Sequence, residues 1–225
     1  MRLLIFLTLI VTFFWKSLGT NACQSDLLFL IDSSGSVHEK WTLQLESVSN
    51  IISKLDLLNE KISVIVYASK MKQRTKIRFD NKLKTEDLQK MIKELPFFSG
   101  ITATGAALRF AKKELENRRK HLKTNVVFVT DGFSYDNVTE PAKELHSLSD
   151  LRLFAISVNE PNNQEDLEIL AGTPERVLKG TKASDRLVEM IRNECQPKMS
   201  DQLSTKEPTV SPLKSCKKSQ QIDGY

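Results

Sequence analysis

Apolar residues in this chain fall into short blocks separated by longer stretches of helical spacing. Leu27 to Ile31 (LLFLI) is an unbroken apolar run of strand length, as expected for a strand covered on both faces. Val37 to Leu57 carries apolar residues at 41, 45, 48, 51, 52 and 55, which predicts one helix. Ile62 to Ala68 predicts a second buried strand. Arg74 to Phe79 alternates polar and apolar like a half-exposed strand, with Ile77 and Phe79 both facing inward. Helices are expected over Thr85 to Leu95 and Thr104 to Arg119, and a third buried strand over Val126 to Thr130. Pro141 to Leu148 reads as helix, Leu151 to Val158 as strand, and Gln164 to Ala171 as a short helix. Arg176 to Leu178 reads as a weak edge strand, and Ala183 to Glu194 as a closing helix.

Strands alternating with helices of this length predict an α/β domain. Its sheet is doubly wound and mostly parallel, a Rossmann-like three-layer fold with one antiparallel edge strand. In such sheets ligands bind beyond the C-terminal ends of the strands, at the point where strand order reverses. The residues just after 27–31 and 126–130 are therefore the place to look for chemistry.

The two ends of the chain differ from this pattern. Met1–Arg2 is followed by a thirteen-residue run, Leu3 to Trp15, of apolar residues and Thr, then a polar stretch ending in small residues at Ala22. That is the layout of a secretory signal over 1–22, and the protein is expected to be secreted and extracellular. At 1.5 Å per residue the run spans about 20 Å against about 30 Å of bilayer hydrocarbon, so it is too short for a membrane span. Residues 196–225 hold three prolines and many Ser, Lys and Gln without apolar period, and are expected to be disordered. The domain is thus expected over 23–195.

Composition narrows the function classes. In 225 residues, 33 Lys and Arg oppose 28 Asp and Glu, a formal charge of +5 that falls well short of a dedicated nucleic-acid binder. Three cysteines are too few for a disulfide scaffold, and no Cys/His cluster has zinc spacing.

Three segments converge on the predicted crevice: Asp32-Ser33-Ser34-Gly35-Ser36, Thr102-Ala103-Thr104-Gly105 and Asp131-Gly132. They supply carboxylates and hydroxyls, all oxygen donors suited to a hard cation, and their compactness suits six-coordinate Mg²⁺ (or Mn²⁺) better than Ca²⁺. Thr104 stands where a helix N-cap is needed, which leaves Thr102 as the better ligand. Asp32-x-Ser34-x-Ser36, then Thr102, then Asp131 resembles the metal-ion-dependent adhesion site of von Willebrand factor type A domains. The likeness runs from Cys23 to Cys195 and includes the apolar strand before Asp32 and the Thr130-Asp131-Gly132 turn.

The resemblance implies that Ser34 and Ser36 bind a metal directly, and Thr102 directly or through water. Asp32 and Asp131 hold coordinated waters or the metal itself. It also implies that a Glu or Asp from an extracellular protein partner fills an open coordination position. In extracellular members of the family a disulfide joins the domain ends, which here are Cys23 and Cys195. Cys216 is the odd cysteine, for which an interchain bridge giving a dimer and a small-thiol cap both stay open.

An enzyme is not expected. Ser33-Ser34-Gly35-Ser36 is not a GxSxG elbow, no Walker or GxGxxG loop is present, and His38, His121 and His146 do not follow strands. A secreted hydrolase using Ser34 and His38 is the third reading. The second is a polyanion module: Lys70, Lys72, Arg74, Lys76 and Arg78 fall at every second position and could form a strip for sulfated glycans, or an edge strand guarded by cations. Arg118, Arg119, Lys120 and Lys123 read as a solvated helix end. Asn137-Val138-Thr139 is a glycosylation sequon beside the crevice.

Overall fold

A computed structural model describes residues 24–158 and 160–193. The signal segment 1–22, all three cysteines and the tail 196–225 lie outside them, and the expectations for those residues stay expectations.

The chain runs β1 (Ser25–Asp32), a 3-10 turn (Gly35–Lys40), α1 (Trp41–Ile52), β2 (Glu60–Tyr67), β3 (Gln73–Ile77), α2 (Thr85–Lys93) and α3 (Thr104–Glu114). It continues through β4 (Lys123–Val129), α4 (Thr139–His146), β5 (Leu151–Ser157), α5 (Gln164–Ala171), β6 (Val177–Lys179) and α6 (Ala183–Asn193). The six strands form one sheet in the order β3-β2-β1-β4-β5-β6. Only β3 is antiparallel, pairing with β2 at the edge. Strand order reverses between β1 and β4, so the two buried runs end side by side, Ile31 opposite Val129.

The unbroken apolar runs are explained by cover on both faces. Leu27, Phe29 and Ile31 join Val64, Val66, Val127 and Val129 under α1, α2 and α6, with Leu45, Val48, Ile92 and Leu187. Leu28 and Leu30 join Ile65, Val126 and Phe128 under α3, α4 and α5, with Leu108, Leu145 and Leu167. Among the described residues no helix is long and apolar enough to cross a membrane.

Three local expectations need correction. The helix expected over 37–57 splits into a tight turn followed by α1. It stops at Ile52 because Asp56 captures the Leu58 N–H (3.1 Å) and the Asn59 side chain (2.7 Å), folding the chain back toward β2. Ile77 and Phe79 do not share a face. Lys76 is the extra residue of a bulge opposite Val64 and Ile65, which turns Ile77 to the α2 face while Thr75 stays on the α3 side; Phe79 lies past the end of β3 and packs with Tyr67 and α3.

The basic group at 118–119 is not a solvated helix end either. The Arg119 backbone N–H and Nε donate to the fully buried Asp26 (2.7 and 2.8 Å), and its Nη2 reaches the Ser25 and Asn59 carbonyls. Arg118 pairs with Asp150 and donates to the Leu115 carbonyl (2.7 Å).

Candidate functional site

The last residue of β1 is Asp32, and the chain must turn sharply there because helix α1 lies on one sheet face. Ser33 anchors the turn, with its N–H (2.7 Å) and hydroxyl (2.9 Å) both donating to the Tyr67 carbonyl at the end of β2. Ser34 then donates its N–H to Asp32 Oδ1 (2.8 Å), and the hydroxyls of Ser34 and Ser36 lie 3.1 Å apart. From β4, the Thr130 hydroxyl donates to Asp32 Oδ2 (2.8 Å). The Asp131 carboxylate, next to Ser36, accepts the Phe133 N–H (3.1 Å). Three of the five residues singled out from the sequence, Asp32, Ser34 and Ser36, are therefore joined by hydrogen bonds, and Asp131 lies beside Ser36.

Thr102 arrives on the loop before α3. That loop is laced to the first turn by Ser99 N–H to Ser33 O (2.9 Å) and Gly35 N–H to Gly100 O (2.8 Å), and to β2 by Ala103 N–H to Ala68 O (2.8 Å). Ser99 (φ 57°) and Gly100 (φ 112°) take the left-handed backbone that the reversal requires. Thr102 is buried and lines, with Ser36, one shallow depression.

Thr104 is not the helix cap. The N-cap position belongs to Ala103, without a side-chain bond, and the Thr104 hydroxyl meets the Tyr67 hydroxyl (3.3 Å). Capping comes from the loop after β4. Asp136 accepts the Gly105 and Ala106 N–H groups (both 2.8 Å), and Ser134 Oγ accepts the Thr104 N–H (3.1 Å). Gly105 is needed because a Cβ there would stand 2.0 Å from the Asn137 carbonyl oxygen. The Thr102 and Asp131 loops are thus locked to each other. Sequence reading missed Thr130, Asp136, Ser134 and Tyr67 in these roles. Only Thr130 carried a signal, as part of the turn motif.

Burial dominates the electrostatics. It raises the Asp32 carboxyl to about 7, helped by the neighbouring Asp131 charge, while the bonds from Ser34 and Thr130 oppose it. Asp131 is raised by burial too, and the Ser36 and Phe133 donors oppose that. The buried Tyr67 hydroxyl is pushed up by burial and by Asp32. Among the described residues no ion pair involves Asp32 or Asp131. Two buried carboxylates and their hydroxyl neighbours thus form a concentrated oxygen-donor set with no protein cation, which fits a hard divalent ion. No group of three or more His, Cys, Asp or Glu able to hold a metal occurs among the described residues, so the hydroxyls are integral to any such set.

The other singled-out residues lie apart. Lys72 donates to the Phe98 and Ser99 carbonyls (2.9 and 3.3 Å), Lys76 stands over the Phe98 ring (5.4 Å), and Arg74 donates to the Met71 and Gln73 carbonyls. Lys70 and Arg78 flank them. His38 packs edge-on against Phe97 (5.1 Å), His146 meets the Ile169 carbonyl (3.1 Å), and His121 is exposed. Asn137 is exposed at the start of α4.

Residues 26–193 match the family model described as the von Willebrand factor type A domain. Human vitrin is 32% identical over 154 residues, covering 68% of this chain and 22% of vitrin. The human collagen alpha-6(VI) chain is 31% identical over 174 residues, covering 72% of this chain and 7% of that one. The chain therefore spans less than a quarter of either relative. Two solved structures share the fold. One is manganese-loaded TRAP protein of Plasmodium vivax (TM-score 0.66, 20% identity, 76% of this chain and 72% of that one). The other is mussel byssus proximal thread matrix protein 1 with a zinc-occupied MIDAS motif (TM-score 0.62, 20% identity, 78% and 46%).

Proposed function

The chain belongs to the von Willebrand factor type A domain family, and from that premise we propose that it binds an extracellular protein partner through a divalent cation. Asp32, Ser34, Ser36, Thr102 and Asp131 hold the ion, Mg²⁺ or Mn²⁺. When bound, the cation supplies a Lewis-acidic position that a Glu or Asp of the partner completes. Ser34, Ser36 and Thr102 present neutral hydroxyls, so among these five residues only Asp32 and Asp131 offset the ion's charge. Asp32 fixes the turn that carries Ser34 and Ser36 by accepting the Ser34 N–H and the Thr130 hydroxyl, and the loop bonds at Gly35, Ser99 and Ala103 hold Thr102 beside them.

The observation that carries this reading is the pair of buried carboxylates, set beside the mutually bonded Ser34 and Ser36 hydroxyls and left without a protein cation. The metal-loaded proteins of the same fold and the collagen relative support it. Secretion and an N-glycan on Asn137 belong to the same reading. A hydrolytic role has less support, because the Ser34 and Ser36 hydroxyls bond each other, while His38 packs on Phe97. The basic strip, too, has its Lys72 and Arg74 ammonium and guanidinium groups engaged by backbone carbonyls.

The test is calorimetry of Mg²⁺ and Mn²⁺ uptake, with capture from extracellular-matrix extract in the presence of Mg²⁺ or chelator. Uptake and chelator-sensitive capture, both lost in Asp131→Ala, are expected. Capture that ignores chelator and falls with salt would overturn the reading in favour of polyanion binding.

A further inference from the structure

The reversal at Phe98–Gly100 belongs to the loop that delivers Thr102, and it is not held by burial. Ser99 takes a left-handed backbone (φ 57°), which a residue with a Cβ keeps only where its surroundings hold it, and both Ser99 and Gly100 are exposed. Backbone bonds supply part of the hold. The Ser99 N–H donates to the Ser33 carbonyl (2.9 Å), the Gly100 carbonyl accepts the Gly35 N–H (2.8 Å), and the Ala103 N–H donates to the Ala68 carbonyl in the β2–β3 turn (2.8 Å). At the apex, the Phe98 and Ser99 carbonyls are met by the Lys72 ammonium, at 2.9 and 3.3 Å.

The turn that presents Lys72 is itself closed, by the Ala68 N–H to the Lys72 carbonyl and the Lys72 N–H to the Ser69 carbonyl (both 2.9 Å). Four residues on, Lys76 is the extra residue of the β3 bulge, and its ammonium stands over the Phe98 ring (5.4 Å). Two cations of one hairpin thus converge on Phe98, one at its carbonyl and one at its ring. Neither enters an ion pair among the described residues. The Asp32, Asp131 and Asp136 carboxylates at this end of the sheet accept backbone N–H groups instead. Charge alone would make either lysine a hindrance, since an ammonium repels a bound cation. A clamp on the loop predicts the opposite sign.

We propose that Lys72 and Lys76 are positioning residues of the cation site, clamping Phe98 and Ser99 so that Thr102 stays beside Ser36. Lys72 acts through the loop backbone and Lys76 through the Phe98 ring, and neither touches the ion. The proposal rests on the cation reading of the preceding subsection. It also takes two members out of the basic strip, whose alternate spacing alone suggested a polyanion surface.

Calorimetry of Mg²⁺ uptake by the full chain tests it, with hydrogen exchange at the Ser99 and Ala103 amides as a second readout. Lys72→Met should weaken uptake about fivefold, and Lys72→Met/Lys76→Met more than about tenfold, with faster exchange at both amides and an unchanged melting temperature. Lys72→Arg keeps donors for both carbonyls and should restore uptake to within about twofold of the original chain. Lys70→Met removes an equal charge from the same turn but no bond to the loop, and should leave both readouts unchanged. Four outcomes would overturn the proposal alone: unchanged or tighter uptake in Lys72→Met, an equal loss in Lys70→Met, no rescue by Lys72→Arg, or a loss matched by a fall in melting temperature. Absent Mg²⁺ and Mn²⁺ uptake by the original chain would overturn the cation reading and this proposal with it.

Discussion

Strand β1 carries a fully buried aspartate near each end, Asp26 and Asp32, about 20 Å apart along the strand. At the N-terminal end, Arg119 answers Asp26 with its backbone N–H and its guanidinium. At the C-terminal end, Asp32 receives only neutral donors, Ser34 and Thr130, and sits beside a second carboxylate. The same residue type in the same strand is thus structural at one end and left in electrostatic deficit at the other. A buried carboxylate without a cation costs stability, and the fold carries that cost at the position proposed for the divalent ion.

The comparison can be broken from the paired end. Arg119→Ala strands the Asp26 charge and should destabilise the domain by about 3–5 kcal/mol in urea unfolding. A loss of only a few tenths, as for a surface cation, would mean that the pairing is incidental.

The other end predicts the opposite sign with pH. Asp32 is raised in the folded protein from 3.8 to about 7. Its contribution to stability is therefore fully present below about pH 4 and is lost as pH rises toward 7, by up to about 4 kcal/mol in metal-free protein. Denaturant midpoints from pH 4 to 7.5 in chelator should show this slope, and both Asp32→Asn and saturating Mg²⁺ should flatten it. A slope identical in Asp32→Asn and the unchanged chain would contradict the deficit.

Asp131→Ala should weaken Mg²⁺ uptake at least hundredfold, about 3 kcal/mol, while leaving the fold intact by circular dichroism. Smaller still, Asp136→Ala removes the cap of α3 and should cost about 1–2 kcal/mol. It should also loosen Thr102, read as faster hydrogen exchange at the Gly105 and Ala106 amides.

The elements legible in the sequence were those whose signal is local. Continuous apolar runs marked β1 and β4 as buried strands, and the oxygen-bearing residues after them marked the crevice. Asp26 and Arg119 are 93 residues apart, and nothing in either segment announces the pair. Asp136 caps a helix that starts 32 residues earlier, and so displaced Thr104 from a role its position suggested. The bulge in β2–β3 turned Ile77 to the face opposite Thr75, because one unpaired residue flips the strand positions after it, and Phe79 lies beyond the end of β3.

The sequence by itself determined the order of elements, the α/β class and the all-oxygen chemistry of the crevice, since periodicity and residue type act within a few positions. Tertiary structure alone decided which buried aspartate is neutralised, which loop caps α3, and that Lys72 and Lys76 converge on Phe98. Each of those outcomes depends on chain segments brought together by the closing of the sheet between β1 and β4, and loop closure leaves no mark on the residues it joins.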